Sequence, residues 1–111
     1  MNQKHRIHAI ALIRWKRKEE IGRVMPPPGT ERFAATARLA EDAQEALFSV
    51  VIYYPLTQPL KTIIKHKAKL HFFAPDMVLP RLEQGTLLYI TDGPKTIAEA
   101  IIERVCGDWE H

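Results

Sequence analysis

Three lysines that alternate with other residues are the side chains whose type and spacing suggest chemistry most directly. Lys65, Lys67 and Lys69 are each separated by one residue. In an extended strand, such side chains share one face and recur every ~6.6 Å, about twice the ~3.4 Å phosphate spacing of a nucleic acid strand. The pattern therefore permits contact with a phosphate backbone. It is also typical of an exposed or edge strand on which lysines prevent pairing with another sheet.

A second basic group lies near the N-terminus. Its members are Arg14, Lys16, Arg17 and Lys18. Residues 1–23 hold seven Lys or Arg against two acids, a net charge of +5, whereas the remaining residues hold nine against eleven, a net charge of −2. Glu19 and Glu20 follow the group directly, so the run is open to two interpretations, a solvated turn or an anion-binding patch.

The residue types needed for a metal site or for catalysis do not form a recognisable pattern. His66 and His71 fall on opposite faces of a predicted strand, and His5 and His8 lie near the N-terminus without a third ligand. Cys106 has no histidine at a plausible local spacing. A GxxxxGK[ST] phosphate loop is absent from the sequence, which excludes nucleotide hydrolysis by that motif. The sequence predicts a non-catalytic protein without metal or cofactor.

Several stretches have the alternation or composition of β-strands. Residues 7–15 place Ile7, Ala9, Ala11, Ile13 and Trp15 on one face. Residues 48–54 are rich in β-branched and aromatic side chains, and residues 61–73 alternate lysines with apolar residues. Eight prolines also favour loops and strand edges over a helical bundle.

A reversal at Asp92-Gly93-Pro94-Lys95 predicts a hairpin over residues 87–105. Its first arm is strand-like, but its second arm has good helix formers and an i, i+4 apolar spacing. Residues 32–47 have the same ambiguity. The predicted fold is an all-β, antiparallel barrel of about six strands, with an α+β alternative that has helices at 32–47 and 96–105.

At 111 residues the chain is expected to form one domain, residues 1–111, with a basic first strand and proline-rich strap over 1–30 and the barrel core over 31–107. A single cysteine, and the lack of an apolar run near ~20 residues, predict a cytoplasmic protein. The segment after residue 74 is predicted to be an irregular loop over one end of the barrel. Its residues Met77, Val78 and Leu79 are candidates for binding a protein partner.

Four stretches resemble the third-domain β-barrel of bacterial elongation factor Tu and the junction before it. Residues 20–30, EIGRVMPPPGT, are similar to the family's Glu-x-Gly-x-Val-x-x-x-Pro-Gly-Thr junction. Residues 32–39 resemble the first strand of that barrel, residues 67–75 a late strand that ends in proline, and residues 92–105 the terminal hairpin. The resemblance implies that the second hairpin arm is a strand.

The same resemblance implies a role in binding, because the family's barrel contacts the T-stem side of aminoacyl-tRNA and an exchange factor. Lys95 stands at the position of a family arginine. The family's Gly- and Arg-rich stretch after the first strand is missing here, and Ala98 and Ala100 replace glycines. We therefore expect a module that binds tRNA or other structured RNA, or alternatively one that binds protein without a nucleic acid ligand.

Overall fold

A computed structural model of the chain describes residues 6–27, 29–43, 46–54 and 65–106. It contains the strands β1 (Ala9–Trp15), β2 (Arg32–Leu39), β3 (Leu47–Tyr53), β4 (Lys65–Phe72), β5 (Leu87–Asp92) and β6 (Lys95–Val105). The strands form a closed antiparallel barrel in the order β1-β4-β3-β2-β5-β6. The all-β prediction is confirmed. His5, Pro28 and residues 61–64, which belong to features predicted above, lie outside the described residues.

The alternation of apolar residues in the sequence determines which side chains fill the interior of the barrel. In β1, Ala9, Ala11, Ile13 and Trp15 are fully buried, and β4 buries Ala68, Leu70 and Phe72 while its lysines point outward. Small inward residues such as Ala11 and Ala100 leave room for Trp15 and Phe72, the two largest fully buried side chains. Because a closed barrel has little interior volume, large and small side chains must be combined to fill it.

The hairpin reverses through the two residues Gly93 and Pro94, between Asp92 and its partner Lys95. Gly93 has φ 63°. A two-residue loop with positive φ at its first position, and a proline that cannot adopt positive φ at its second, fits a type II′ turn. This turn matches the twist of the two strands, which explains the tight closure.

The helical alternative at 32–47 and 96–105 is wrong. Residues 32–39 form β2, which pairs with β3 on one side and with β5 on the other. Residues 95–105 form β6, which pairs with β5 and with β1, with register shifts at Ile90/Thr91 and Ile10/Ala11. Pairing along both edges, together with burial of Ile97, Ala98, Ala100 and Ile102, outweighs the helix propensity of the alanines and glutamates.

Short helices and the strap cover the ends of the barrel. Helix α1 (Lys18–Ile21) ends at Gly22, which has φ 84°, and the strap that follows buries Met25 and Pro26. Helix α2 (Pro75–Val78) continues into a 3-10 turn at Leu79–Arg81. Strand β1 belongs to the closed sheet as fully as β4 does, so the barrel extends beyond the predicted core of residues 31–107.

Candidate nucleic-acid interface

Three adjacent strands, β6, β1 and β4, carry most of the positive charge of the barrel wall. Together they hold six Lys or Arg and two Glu, a net charge of +4 with histidines neutral. The β1–β4 register aligns Arg14 with Lys65, and Leu12 with Lys67, and Ile10 with Lys69. On the far side of β1, Ile10 is aligned with Arg104. We call five exposed cations of this surface the basic face, leaving out Lys95 at the hairpin turn. They are Arg14, Lys65, Lys67, Lys69 and Arg104.

Two carboxylates of β6 neutralise part of this surface. Arg14 Nη2 lies 3.4 Å from Glu99 Oε1, and Lys67 Nζ lies 3.6 Å from Glu103 Oε1. Among the described residues, no carboxylate lies within ion-pair distance of Lys65 or Lys69. The three lysines lie on the outer surface of β4, as their alternation predicted. The sequence did not show that carboxylates of β6 would form ion pairs with residues of the basic face.

The remaining predicted basic residues lie at one end of the barrel and are partly used to build it. Arg17 is the N-cap residue of α1, and its backbone N–H donates to Glu20 Oε1 at 2.8 Å. Lys95 Nζ donates to the carbonyl of Ile21 at 3.3 Å, joining the hairpin to α1. The side chain of Lys16 is half-buried, whereas Lys18 is exposed. Lys16, Arg17, Lys18 and Lys95 therefore border the basic face at its α1 end.

A histidine pairs with a tryptophan behind the lysines. Trp15 Nε1 lies 2.8 Å from His66 Nε2, and His66 Nδ1 lies 2.9 Å from the carbonyl oxygen of Lys67. Because the indole nitrogen only donates, Nε2 of His66 accepts, and the proton resides on Nδ1, which donates to Lys67. This chain of hydrogen bonds connects β1 to β4 and fixes the backbone at Lys67.

His8 occupies the opposite end of the β1–β4 pair. Its Nδ1 accepts a hydrogen bond from the backbone N–H of Phe72 at 2.9 Å, and its ring stacks on His71 with centroids 4.9 Å apart. Burial lowers the pKa of His8, and the nearby His71 and Arg6 lower it further. The sequence showed only that His8 lies near the N-terminus, whereas the structure buries it.

Two consecutive tyrosines lie at the end of β3 beside the basic face: Tyr53 is the last residue of the strand, and Tyr54 follows it. Tyr53 is aligned with Lys69 across the β3–β4 pair. Tyr54 points inward, where its hydroxyl lies 2.6 Å from Thr30 Oγ1 and its ring meets that of Trp15 edge to face. Burial raises the pKa of Tyr54, an effect that the Thr30 hydrogen bond partly offsets. Sequence reasoning identified this strand but not Tyr53 as a neighbour of the lysines, because their pairing spans a long loop.

The predicted partner-binding residues do not form one exposed patch. Val78 is fully buried and Leu79 is 8% exposed, so the assignment of these two residues to a docking surface is wrong. Both belong to the hydrophobic core together with Leu82, because α2 and the 3-10 turn direct them into the end of the barrel. Met77 alone of the three is exposed, at 67%.

Within the described part of the chain, no group of three His, Cys, Asp or Glu side chains is arranged to hold a metal ion. The same residues include no helix of the length and apolar character needed to cross a membrane. No protein-family model and no curated protein sequence matches this chain. The resemblance to the third barrel of elongation factor Tu therefore stays a prediction.

Proposed function

We propose that this protein is a non-catalytic binding module whose basic face contacts the sugar-phosphate backbone of structured RNA. The observation that carries the proposal is the gathering of Arg14, Lys65, Lys67, Lys69 and Arg104 on the outside of three adjacent strands. These residues come from three separate parts of the sequence. Their juxtaposition is a property of the closed barrel.

The chemistry of the basic face favours an extended anion. Lysines on β4 recur every ~6.6 Å, and Arg14 and Arg104 widen the positive surface across the neighbouring strands. Double-stranded RNA is recognised mainly by its shape and by its phosphate and 2′-hydroxyl groups, which require dispersed donors rather than a deep pocket. Exposed ion pairs such as Arg14–Glu99 contribute at most about 1 kcal/mol, so phosphates can compete for these cations.

The test is a salt series of tRNA affinity with charge-matched variants. We expect Lys65→Gln/Lys69→Gln to weaken tRNA binding by roughly tenfold or more. The slope of log K against log salt should become shallower, by the amount that corresponds to the loss of about two phosphate contacts. Arg32→Gln/Arg38→Gln removes the same charge from β2, outside the basic face, and should change affinity much less. Glutamine retains part of each side-chain stem, so packing is largely preserved.

Equal losses in the two variants would show that net charge alone attracts RNA, and would contradict a defined face. Undetectable binding of tRNA and of a short RNA duplex at low salt would overturn the proposal. Circular dichroism and thermal unfolding of both variants establish that they retain the fold.

The second candidate function is protein docking, for which the opposite wall of the barrel provides an observation. Phe73 and Leu47 are 56% and 57% exposed. Phe73 borders a shallow, open depression of about 410 Å³ whose lining includes the small residues Ala34, Thr36 and Ser49. Sedimentation velocity of the wild type and of Leu47→Ser/Phe73→Ser tests whether this wall joins two copies. A monomer at every concentration would exclude self-association.

A further inference from the structure

A groove lies on the barrel wall beside the last described pair of β3 and β4. The last described β3–β4 pair is Tyr53 with Lys69, whereas β4 extends four residues further, to Lys65, along β1. The groove has a volume of about 400 Å³. Its lining residues are Ile10, Tyr53, Tyr54, Lys67, Ala68 and Lys69.

The groove combines an aromatic ring, an apolar floor and two cations. Tyr53 and Ile10 border Lys69 on its two neighbouring strands, and Lys67 lies one pleat further along β4. A flat aromatic heterocycle with an attached phosphate satisfies each of these groups, because the ring stacks on tyrosine and the phosphate pairs with ammonium. A volume of this size lies within the range of small-ligand sites.

Two of the described lining residues of the groove are held in place by contacts within the protein. Tyr54 is fixed by its hydrogen bond to Thr30 and by its edge-to-face contact with Trp15. The backbone at Lys67 is fixed by the hydrogen bond from His66, whose ring in turn accepts from Trp15. A prepared site loses less conformational entropy on binding, which favours specific recognition over a transient contact.

From these observations we propose that the groove binds the base of an unpaired nucleotide, stacked on Tyr53, with its flanking phosphates on Lys67 and Lys69. The inference rests on the proposed RNA-binding function and extends it. The rest of the basic face contacts the backbone of a paired stem, while the groove requires a base that is free of pairing. The preferred ligand is therefore an RNA stem with an adjacent single-stranded end.

The experiment compares three RNA hairpins of identical stem by fluorescence anisotropy. One is blunt, one has a short single-stranded overhang, and one has the same overhang made of abasic nucleotides. The abasic overhang retains the phosphates, so the difference between the last two measures the contribution of the bases alone. We expect the base-bearing overhang to bind roughly 10-fold more tightly than the abasic one, within the range typical of base stacking on an aromatic side chain.

Substitution of the tyrosine locates the effect. Tyr53→Leu should abolish the discrimination between the two overhangs, and Tyr53→Phe should retain it. Tyr89→Leu is the matched control, because Tyr89 also lies on the barrel wall, on β5, where it stacks under Arg38. This control should leave the discrimination intact. If Tyr53→Leu is unfolded by circular dichroism, the wild-type comparison of the base-bearing and abasic overhangs still tests the proposal, because equal binding of the two would overturn it.

The outcomes separate this inference from the proposed function. Equal binding of all three hairpins, with the dependence on Lys65 and Lys69 retained, would overturn the groove proposal and leave backbone binding in place. Discrimination that survives Tyr53→Leu would also overturn it, since the base would then bind elsewhere. Failure of every hairpin to bind at low salt would overturn both proposals.

Discussion

The barrel wall has two halves, one formed by β6, β1 and β4 and the other by β3, β2 and β5. Their outer surfaces differ in charge, whereas their inner surfaces are both apolar. The outer surface of β6, β1 and β4 has a net charge of +4, whereas β3, β2 and β5 together hold two Arg and one Asp, a net charge of +1. The inner surface of each half is apolar, with Leu70 and Ile102 in one half and Ile52 and Ile90 in the other, all fully buried. Folding constrains the inward positions in the same way in both halves, so the halves differ in their outward positions, and the proposed RNA binding depends on that difference.

Hydrogen-bonded histidines also distinguish the halves. Of the described histidines, His66 and His71 lie on β4 and His8 directly precedes β1. Both His8 and His66 act as acceptors through a ring nitrogen, from Phe72 N–H and from Trp15 Nε1. Among the described residues, the histidines that accept hydrogen bonds through a ring nitrogen therefore belong to the basic half of the barrel wall.

Charge reversal on β4 should produce the largest change in RNA affinity, because it reverses the charge difference between the two halves of the barrel wall. We expect Lys65→Glu/Lys67→Glu/Lys69→Glu to lower RNA affinity by more than about 100-fold, because three contacts are lost and phosphates are repelled. Filter binding against tRNA at constant salt measures the change. If the triple variant retains its fold and binds tRNA as tightly as the wild type, a role of β4 in RNA binding is contradicted.

Removal of the two β6 carboxylates that pair with the basic face should increase the charge difference between the two halves of the barrel wall. Glu99→Gln/Glu103→Gln frees Arg14 and Lys67 from their ion pairs and should raise RNA affinity by about tenfold at low salt, since the positive potential of the face increases. The control is Asp92→Asn, which removes the partner of Arg23 away from this face. The double variant removes two negative charges and the control removes one, so equal gains per removed charge would mean that only net charge matters.

Acid should destabilise the fold through the buried histidine of the basic half. The pKa of His8 is lowered in the folded protein from its ordinary value of 6.5. Above that value both states are neutral at His8, whereas below it the unfolded chain takes up the proton first, so stability falls as the pH decreases toward the lower pKa of the folded state. Urea unfolding on both sides of pH 6.5 measures the loss.

The matched variant for this prediction is His8→Asn, because an amide oxygen can accept the Phe72 N–H but does not titrate. Its stability should fall less steeply with acid than that of the wild type. A wild-type pH profile in His8→Asn would show that other groups cause the acid sensitivity.

The smallest effect is expected for the exposed ion pair on the basic face. A double-mutant cycle on Arg14 and Glu99 should give a coupling free energy below about 1 kcal/mol. Arg81 and Asp42 form a pair of the same length, 3.4 Å, but the Asp42 side chain is only 9% exposed, so their coupling should be larger. Chemical unfolding of the two sets of variants provides the comparison. A stronger coupling at Arg14–Glu99 would show that this pair has a structural role in joining β1 to β6.

Local patterns in the sequence determined much of the barrel. The period-two alternation of β1 and β4 predicted which side chains are buried and directed Lys65, Lys67 and Lys69 outward, because successive side chains of a strand point to opposite faces. The Gly93-Pro94 reversal was equally local, since only glycine accepts its positive φ without strain. These features need no knowledge of which strands are neighbours.

Tertiary structure decided the features that depend on which strands and side chains lie next to each other. Residues 96–105 have a pattern compatible with either a helix or a strand, and pairing with β5 and β1 along both edges makes them a strand. Pairing likewise brought Glu99 to Arg14 and Tyr53 to Lys69, and packing against the barrel end buried Val78 while Met77 stayed exposed. Propensity and alternation describe one residue and its near neighbours, whereas these outcomes depend on contacts between residues that are distant in sequence.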